Sequence, residues 1–304
     1  VLLGFSTLKP MLTAGELANL ADVVKQVTHN QSGEETLNNE GHPSDDVALE
    51  KLREALRQDA PECKDVPDAI LRKCLAFQDG DIEKAASTAA GFFNFRSQAR
   101  WAMRIPASEV SRALKTGLHW LLPGKKDSED PNEFAAACLV FNMAKLDPDA
   151  CPIEEYQKLS LFLIERATDS LDVQTRGVAL IIDFRSVQFT KLWSVLRLED
   201  IKRGLGCWVG AFPCRLRRIW ILDAPLPVRV LTSLVKKFLT PKVRNRIDFV
   251  TPKDLQRIRE DFVDCIVVPD SLGGTDPFDW DAQVEGYLRC DPRLPLRSPT
   301  LLSL

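Results

Sequence analysis

The 304-residue chain has no apolar run near the ~20 residues needed to cross a bilayer, so contact with a membrane would be peripheral. Its eight cysteines include no Cys-x-x-Cys pair, and the Cys and His spacings fit no zinc template. Scattered in this way they read as thiols of a reducing cytosol rather than a disulfide framework. The three histidines, His29, His42 and His119, all precede the strand-like runs of the second half, and no Gly-x-Ser-x-Gly occurs, so serine-hydrolase chemistry has no support. No glycine-rich fingerprint follows a strand. Gly124-Lys125-Lys126 lacks the glycine spacing and the Ser/Thr of a phosphate-binding loop, which argues against a nucleotide-dependent enzyme. Asp183 and Asp223, at the ends of predicted strands, read as turn-holding acids rather than catalytic carboxylates. A formal net charge of −3 disfavours nucleic acid as a partner. The N-terminal Val-Leu-Leu-Gly-Phe is short and lacks the basic flank of a signal peptide. No catalytic residue, metal or cofactor is expected.

What is present is 45% hydrophobic residues, enough for a real core in one large or two modest domains. One stretch concentrates the signals. Ile219 to Leu222 is an apolar run closed by Asp223-Ala224-Pro225, the pattern of a buried strand ended by proline. Val228, Leu231, Leu234, Val235 and Phe238 then recur at helical spacing, with Arg229, Ser233, Lys236 and Lys237 on the opposite face. Lys242, Arg244 and Arg246 follow. Between Leu226 and Ile247 there are six Lys or Arg and no acid, a local reversal of the chain's sign.

In chain order, Thr13 to Gln26 reads as a helix behind a Thr13 cap, and residues 28–46 as a polar linker. Helices are predicted over 47–58, from Val66-Pro67-Asp68 through Phe77, and over 82–96, which makes the first hundred residues a small helical unit. Residues 101–133 read as connections that include a polar crossing loop. Beyond them, apolar runs at 134–145, 178–184, 215–222 and 247–250 alternate with helices over 153–170, 192–212 and 254–265, the pattern of a mainly parallel sheet with helical crossovers. A short helical piece follows Gly273-Gly274, and the chain after Asp291 reads as a tail. Leu180, Ile182, Ile219 and Ile221 on the strands, with the helical stripe Ile201, Leu205, Trp208 and Phe212, form the candidate apolar interior. Which of them would touch a ligand and which are plain packing stays open. Trp101, Trp120 and Trp193 read as core. Ser186, Gln188 and Thr190 are either turn caps or polar contacts to a ligand.

Several of these segments together resemble one family. Val173-Gln-Thr-Arg-Gly-Val-Ala-Leu-Ile-Ile-Asp-Phe184, Phe212-Pro213, Asp223-Ala-Pro225, Val235-Lys-Lys-Phe-Leu239 and Val268-Pro-Asp-Ser-Leu-Gly-Gly274 resemble successive landmarks of the CRAL-TRIO lipid-binding domain. Residues 68–96, with Asp81-Ile-Glu-Lys-Ala85, resemble its helical N-terminal companion. The similarity is to the branch that holds alpha-tocopherol transfer protein and cellular retinaldehyde-binding protein. It implies an α/β fold: a helical N-terminal region (1–126, core about 50–100), a lipid-binding domain (133–285) with a sheet floor and helical walls, and a tail (286–304). It also implies that the 226–240 helix, with Val228, Leu231, Leu234, Val235 and Phe238, is a movable gate. Four basic positions of that branch that bind a phosphoinositide headgroup match Arg215, Arg217, Lys242 and Arg246. The sequence departs from the family at Ala76-Phe77-Gln78-Asp79-Gly80, usually a basic stretch, and at Lys237, usually proline in the gate. The implied function is non-enzymatic carriage of a retinoid, tocopherol or phospholipid between membranes, by a cytoplasmic protein that docks transiently on phosphoinositide-bearing surfaces. The alternative is a lipid-sensing adaptor that keeps its ligand and binds a protein partner.

Overall fold

The structure is a computed structural model and describes residues 46–125, 135–188, 200, 203, 212–236, 241–262 and 266–289. The predicted helices over 13–26 and 192–212 and the tail lie outside those residues, apart from Asp200, Arg203 and Phe212. Three helices open the described chain: α1 (Asp46–Asp59), α2 (Asp68–Phe77) and α3 (Ile82–Ala99). Each buries one apolar stripe, Leu49/Leu52/Leu56, Ile70/Leu71/Cys74/Leu75 and Ala85/Ala89/Phe92 respectively. The α2–α3 turn passes through Asp79 and Gly80, both at positive φ, and Asp81 caps α3 by accepting from the Lys84 amide at 3.0 Å. A short α4 (Ser111–Thr116) leads into the sheet.

Five strands, β1 (His119–Pro123), β2 (Ala137–Asn142), β3 (Val178–Asp183), β4 (Leu216–Leu222) and β5 (Ile247–Val250), lie in the order in which the chain makes them. The pairs β2–β3, β3–β4 and β4–β5 are parallel, and β1 pairs antiparallel with β2, His119 opposite Phe141. The mainly parallel α/β fold expected from the alternation of elements is therefore observed. The strand β1 adds to the reading of 101–133, where a polar crossing loop was expected and no strand was. Its apolar content is Trp120-Leu121-Leu122, and no helix separates it from β2 among the described residues, so the strand–helix–strand rhythm that reveals the others is missing.

The crossover from β2 to β3 is made by α5 (Ile153–Ala167) and α6 (Leu171–Arg176). The predicted 153–170 helix ends early: after Thr168 the amides of Asp169 and Ser170 bond three residues back, to Arg166 O and Ala167 O, and the chain turns before α6. From β4 to β5 the chain runs through α7 (Leu226–Lys236) and α8 (Pro241–Arg244). Helices α9 (Leu255–Phe262) and α10 (Trp280–Arg289) complete the fold. Gly177 (φ 85°) begins β3 where a Cβ would lie 2.3 Å from Arg215 O, so only glycine lets β3 and β4 start side by side.

The side-chain alternation of the strands gives the sheet two faces. On the back face Cys138, Val140, Ala179, Ile181, Trp220, Leu222 and Val250 are buried against Ile258 of α9 and against Ile266, Val268 and Leu272. At ~1.5–3 kcal/mol for each fully buried large side chain, this layer is a principal source of stability. The front face carries two rows set by the strand register, Leu139–Leu180–Ile219–Ile247 and Phe141–Ile182–Ile221–Phe249. Helix α5 packs over its β1–β2 side with the helical unit against α5 and α6, and α7 runs along its β4–β5 side.

Candidate functional site

The second front row is where the apolar surface is left incompletely covered. Ile221 is buried, but Phe141, Ile182 and Phe249 are half-buried, as are Ile219 in the first row and Val228 of α7 above them. Leu180, Ile182, Ile219 and Ile221, expected from the sequence as one apolar wall, do lie side by side on adjacent strands. Phe212 stands elsewhere. It is a bend residue rather than the end of a helix, and its ring meets Phe92 of α3 edge-on at 6.0 Å with Lys73 Nζ 6.0 Å away, in the seam with the helical unit. Ile201, Leu205, Trp208 and Phe238 lie outside the described residues, as do the side chains of Leu231, Leu234, Val235 and Lys242.

At the carboxyl ends of β2 and β3, beside this wall, lies an open cleft of about 410 Å³ lined by Met143, Leu146 and Val187 together with Thr116, Lys145, Asp147, Ser186 and Gln188. Met143, Leu146 and Val187 pack against the same buried cluster of Phe184, Ile221, Ala224 and Ile247 as Ile182 and Phe249, which joins the cleft to the wall. Ser186, at φ 59°, holds the left-handed turn that ends this edge. The carboxyl ends of parallel strands are the usual ligand side of an open α/β sheet.

The basic residues gather at the opposite, amino-terminal edge. Arg215 and Arg217 flank the start of β4, Arg246 immediately precedes β5, and Lys242 lies in α8. Arg217 donates to Arg176 O, and Arg246 donates to Leu216 O at 2.7 Å. Arg215 has a different destination. Its guanidinium pairs with Asp79 in the α2–α3 turn and donates to Thr175 O at 2.8 Å, Phe77 O at 3.2 Å and Ala76 O at 3.3 Å, leaving its side chain 10% exposed. The Ala76–Gly80 departure from the family's basic stretch thus supplies the acceptors for this arginine.

Two further features were not read from the sequence. One is the seam of α5 with the helical unit, where Arg96 and Glu165 pair at 0% and 1% exposure and Asp169 takes Lys73 at 2.8 Å and Arg104 at 2.6 Å. Burial raises the Glu165 pKa and Arg96 offsets part of that rise; burial lowers that of Lys73. Burial also acts to raise Asp169, but Lys73 and Arg104 outweigh it and hold the carboxyl below its ordinary value. The other is His119, buried on the front face edge-on to Phe141 at 4.2 Å, with Nε2 3.4 Å from Ser160 Oγ and Nδ1 without a hydrogen-bond partner. Burial pushes its pKa down to about 3, so the ring is neutral. Helical spacing places Glu165 and Lys73 on their helices, but only the fold brings them together.

Among the described residues no group of His, Cys, Asp and Glu is arranged to hold a metal, and no helix is long and apolar enough to cross a membrane. Residues 133–274 match the family model described as the CRAL/TRIO domain. The chain carries a CRAL/TRIO domain. That family binds and transfers small lipophilic ligands. The chain is 23% identical over 240 residues to human alpha-tocopherol transfer protein-like, covering 77% of this chain and 68% of the relative. It is 32% identical over 114 residues to human tyrosine-protein phosphatase non-receptor type 9, which is 37% of this chain and 18% of the phosphatase. Among solved structures, that of Sfh5 aligns over 81% of this chain and 98% of its own length, with a TM-score of 0.47 and 12% identity.

Proposed function

We propose that this protein binds one small lipid of the retinoid, tocopherol or phospholipid class, with its polar end toward Ser186 and Gln188, and carries it between membranes without chemistry. The observation that carries this reading is the incompletely covered apolar row Phe141–Ile182–Ile221–Phe249, which lies beside an amphipathic helix and next to a cleft of mixed apolar and polar lining. A tail of ~20 carbons gains on the order of 16 kcal/mol on leaving water, in a protein cavity or in a bilayer alike, so exchange is near balance and access sets its rate. Helix α7 is the gate in this reading. Leu226 and Val230, 65% and 52% exposed, point away from the core and give it an apolar outer edge for a lipid surface. The lipid-binding unit, expected over residues 133–285, is taken to include β1 and the end of α10, with the helices before β1 as its companion and the chain beyond Arg289 as a tail.

Docking is assigned to the amino-terminal edge of the sheet, through phosphoinositide headgroups at Arg217, Lys242 and Arg246, with Arg215 anchoring that edge to the helical unit. At ~1 kcal/mol per cation near anionic lipid, three supply ~3 kcal/mol, or about a hundredfold in occupancy. The test is transfer of a fluorescent tocopherol analogue and a fluorescent phosphatidylcholine from neutral donor vesicles to acceptors with and without phosphatidylinositol bisphosphate. Reversing charge at Arg217, Lys242 and Arg246 together is expected to abolish the preference for phosphoinositide acceptors and to leave probe retention intact. Unchanged delivery refutes the docking site. Tight retention with no net movement of either probe refutes carriage and points to the sensing adaptor.

A further inference from the structure

Helix α7 spans from the carboxyl end of β4 to the start of β5, and its two most engaged cations converge on one aromatic ring. Arg229 donates through Nε to Ala224 O at 2.8 Å, and its guanidinium lies 5.5 Å from the centroid of Phe249. Lys236, seven residues on and so on the same side of the helix, donates to Ile247 O at 2.6 Å, and its ammonium also lies 5.5 Å from the Phe249 centroid. Arg244 of α8 closes the far end by donating to Lys236 O at 2.9 Å. The ring itself is half-buried on β5, in the apolar row that the gate borders.

The helical pattern assigns Arg229 and Lys236 to the solvated face, yet both return to the sheet. An aromatic face attracts cations through its quadrupole, which an aliphatic side chain of similar volume does not. The closed position therefore depends on a polar contact at a ring, where burial alone would give no defined stop. Asp223, at φ 53°, and Pro225 break the chain just before α7, so the helix has a bend at one end and the latch along its length. We propose that Phe249, with Arg229 and Lys236, is the latch that holds the gate of the lipid cavity shut in solution. The inference rests on α7 being that gate.

Hydrogen exchange on the full chain in the absence of lipid tests it. Replacing Phe249→Leu keeps apolar volume and removes the ring. Amides of residues 226–236 are expected to exchange about tenfold faster, with α5 unchanged. Lys236→Met, which keeps the stem and removes the charge, should give a smaller rise at the same residues, and Phe249→Trp should retain protection. Gate exchange equal to the parent in both Phe249→Leu and Lys236→Met overturns the latch. A rise shared equally by α5 overturns it too, because it marks a general loss of packing. Since this readout uses no lipid, an exchange contrast without vesicle transfer refutes carriage alone, and transfer with flat exchange refutes the latch alone.

Discussion

The two sides of the front face are built by opposite rules. Toward β1 and β2, α5 has 12 of its 15 residues buried, and even its charges are enclosed, Glu165 at 1% exposure against Arg96 at 0%. Toward β4 and β5 the covering helix has exposed Leu226 and Val230, and the apolar row beneath it is half-covered. One side is closed with the help of a buried network of charges in the seam between α5 and the helical unit. The other is closed by contacts that water or lipid can replace. A carrier needs both, since a wall that never opens gives the gate something to move against.

The largest effect is expected from breaking the closed side. Glu165→Leu leaves Arg96 buried and unpaired and should cost about 3–5 kcal/mol in the denaturant midpoint. Adding Arg96→Met should restore most of that loss, because the isolated charge is then gone as well. If the single and double variants are equally unstable, the pair is not what closes the seam.

Neighbouring residues of β3 sharpen the contrast between covered and half-covered surface. Ile181 is fully buried on the back face, and Ile182 stands half-buried on the front. Ile181→Ala should cost about 2–4 kcal/mol. Ile182→Ala should cost about 1 kcal/mol in the lipid-free protein, where the side chain is only half-buried, yet shorten retention of a fluorescent lipid probe. Equal losses of stability would mean that the front row is ordinary core.

A third contrast separates the sides by pH. His119 has an ordinary pKa of 6.5 when unfolded and about 3 when folded, so its contribution is complete above pH 6.5 and declines as the unfolded chain takes up a proton that the fold rejects. Between pH 7 and pH 5 this amounts to about 2 kcal/mol. Thermal melts should show that loss in the parent, and a shallower slope in His119→Phe.

How much of this could be read from sequence depended on the range of the interactions. The strands β3, β4 and β5 were legible because strands covered on both faces run as continuous apolar segments, and Val178 to Asp183 is such a run. The strand β1 was not, since an antiparallel edge strand needs only Trp120-Leu121-Leu122 and its partner. The basic character of the 215–246 region was legible, but the gathering of Arg217 and Arg246 at the amino-terminal edge of the sheet comes from the strand pairing. The destination of Arg215 was not, because its partner Asp79 lies 136 residues earlier. The Arg96–Glu165 pair is hidden for the same reason: each side chain looks like an ordinary helical charge until α5 is laid across α3.

That separation also has a meaning in time. Arg96 leaves the ribosome 69 residues ahead of Glu165. At the ~5–20 residues per second of protein synthesis, the helical unit waits roughly 3–14 s before its counter-charge exists. During that interval the carboxylates that Arg96 and Lys73 meet in the folded protein do not yet exist, so the seam cannot form. The order of the sequence thus makes completion of the helical unit contingent on the emergence of α5, and a nascent chain halted before Glu165 should remain a target for chaperones while one halted beyond Asp169 should not.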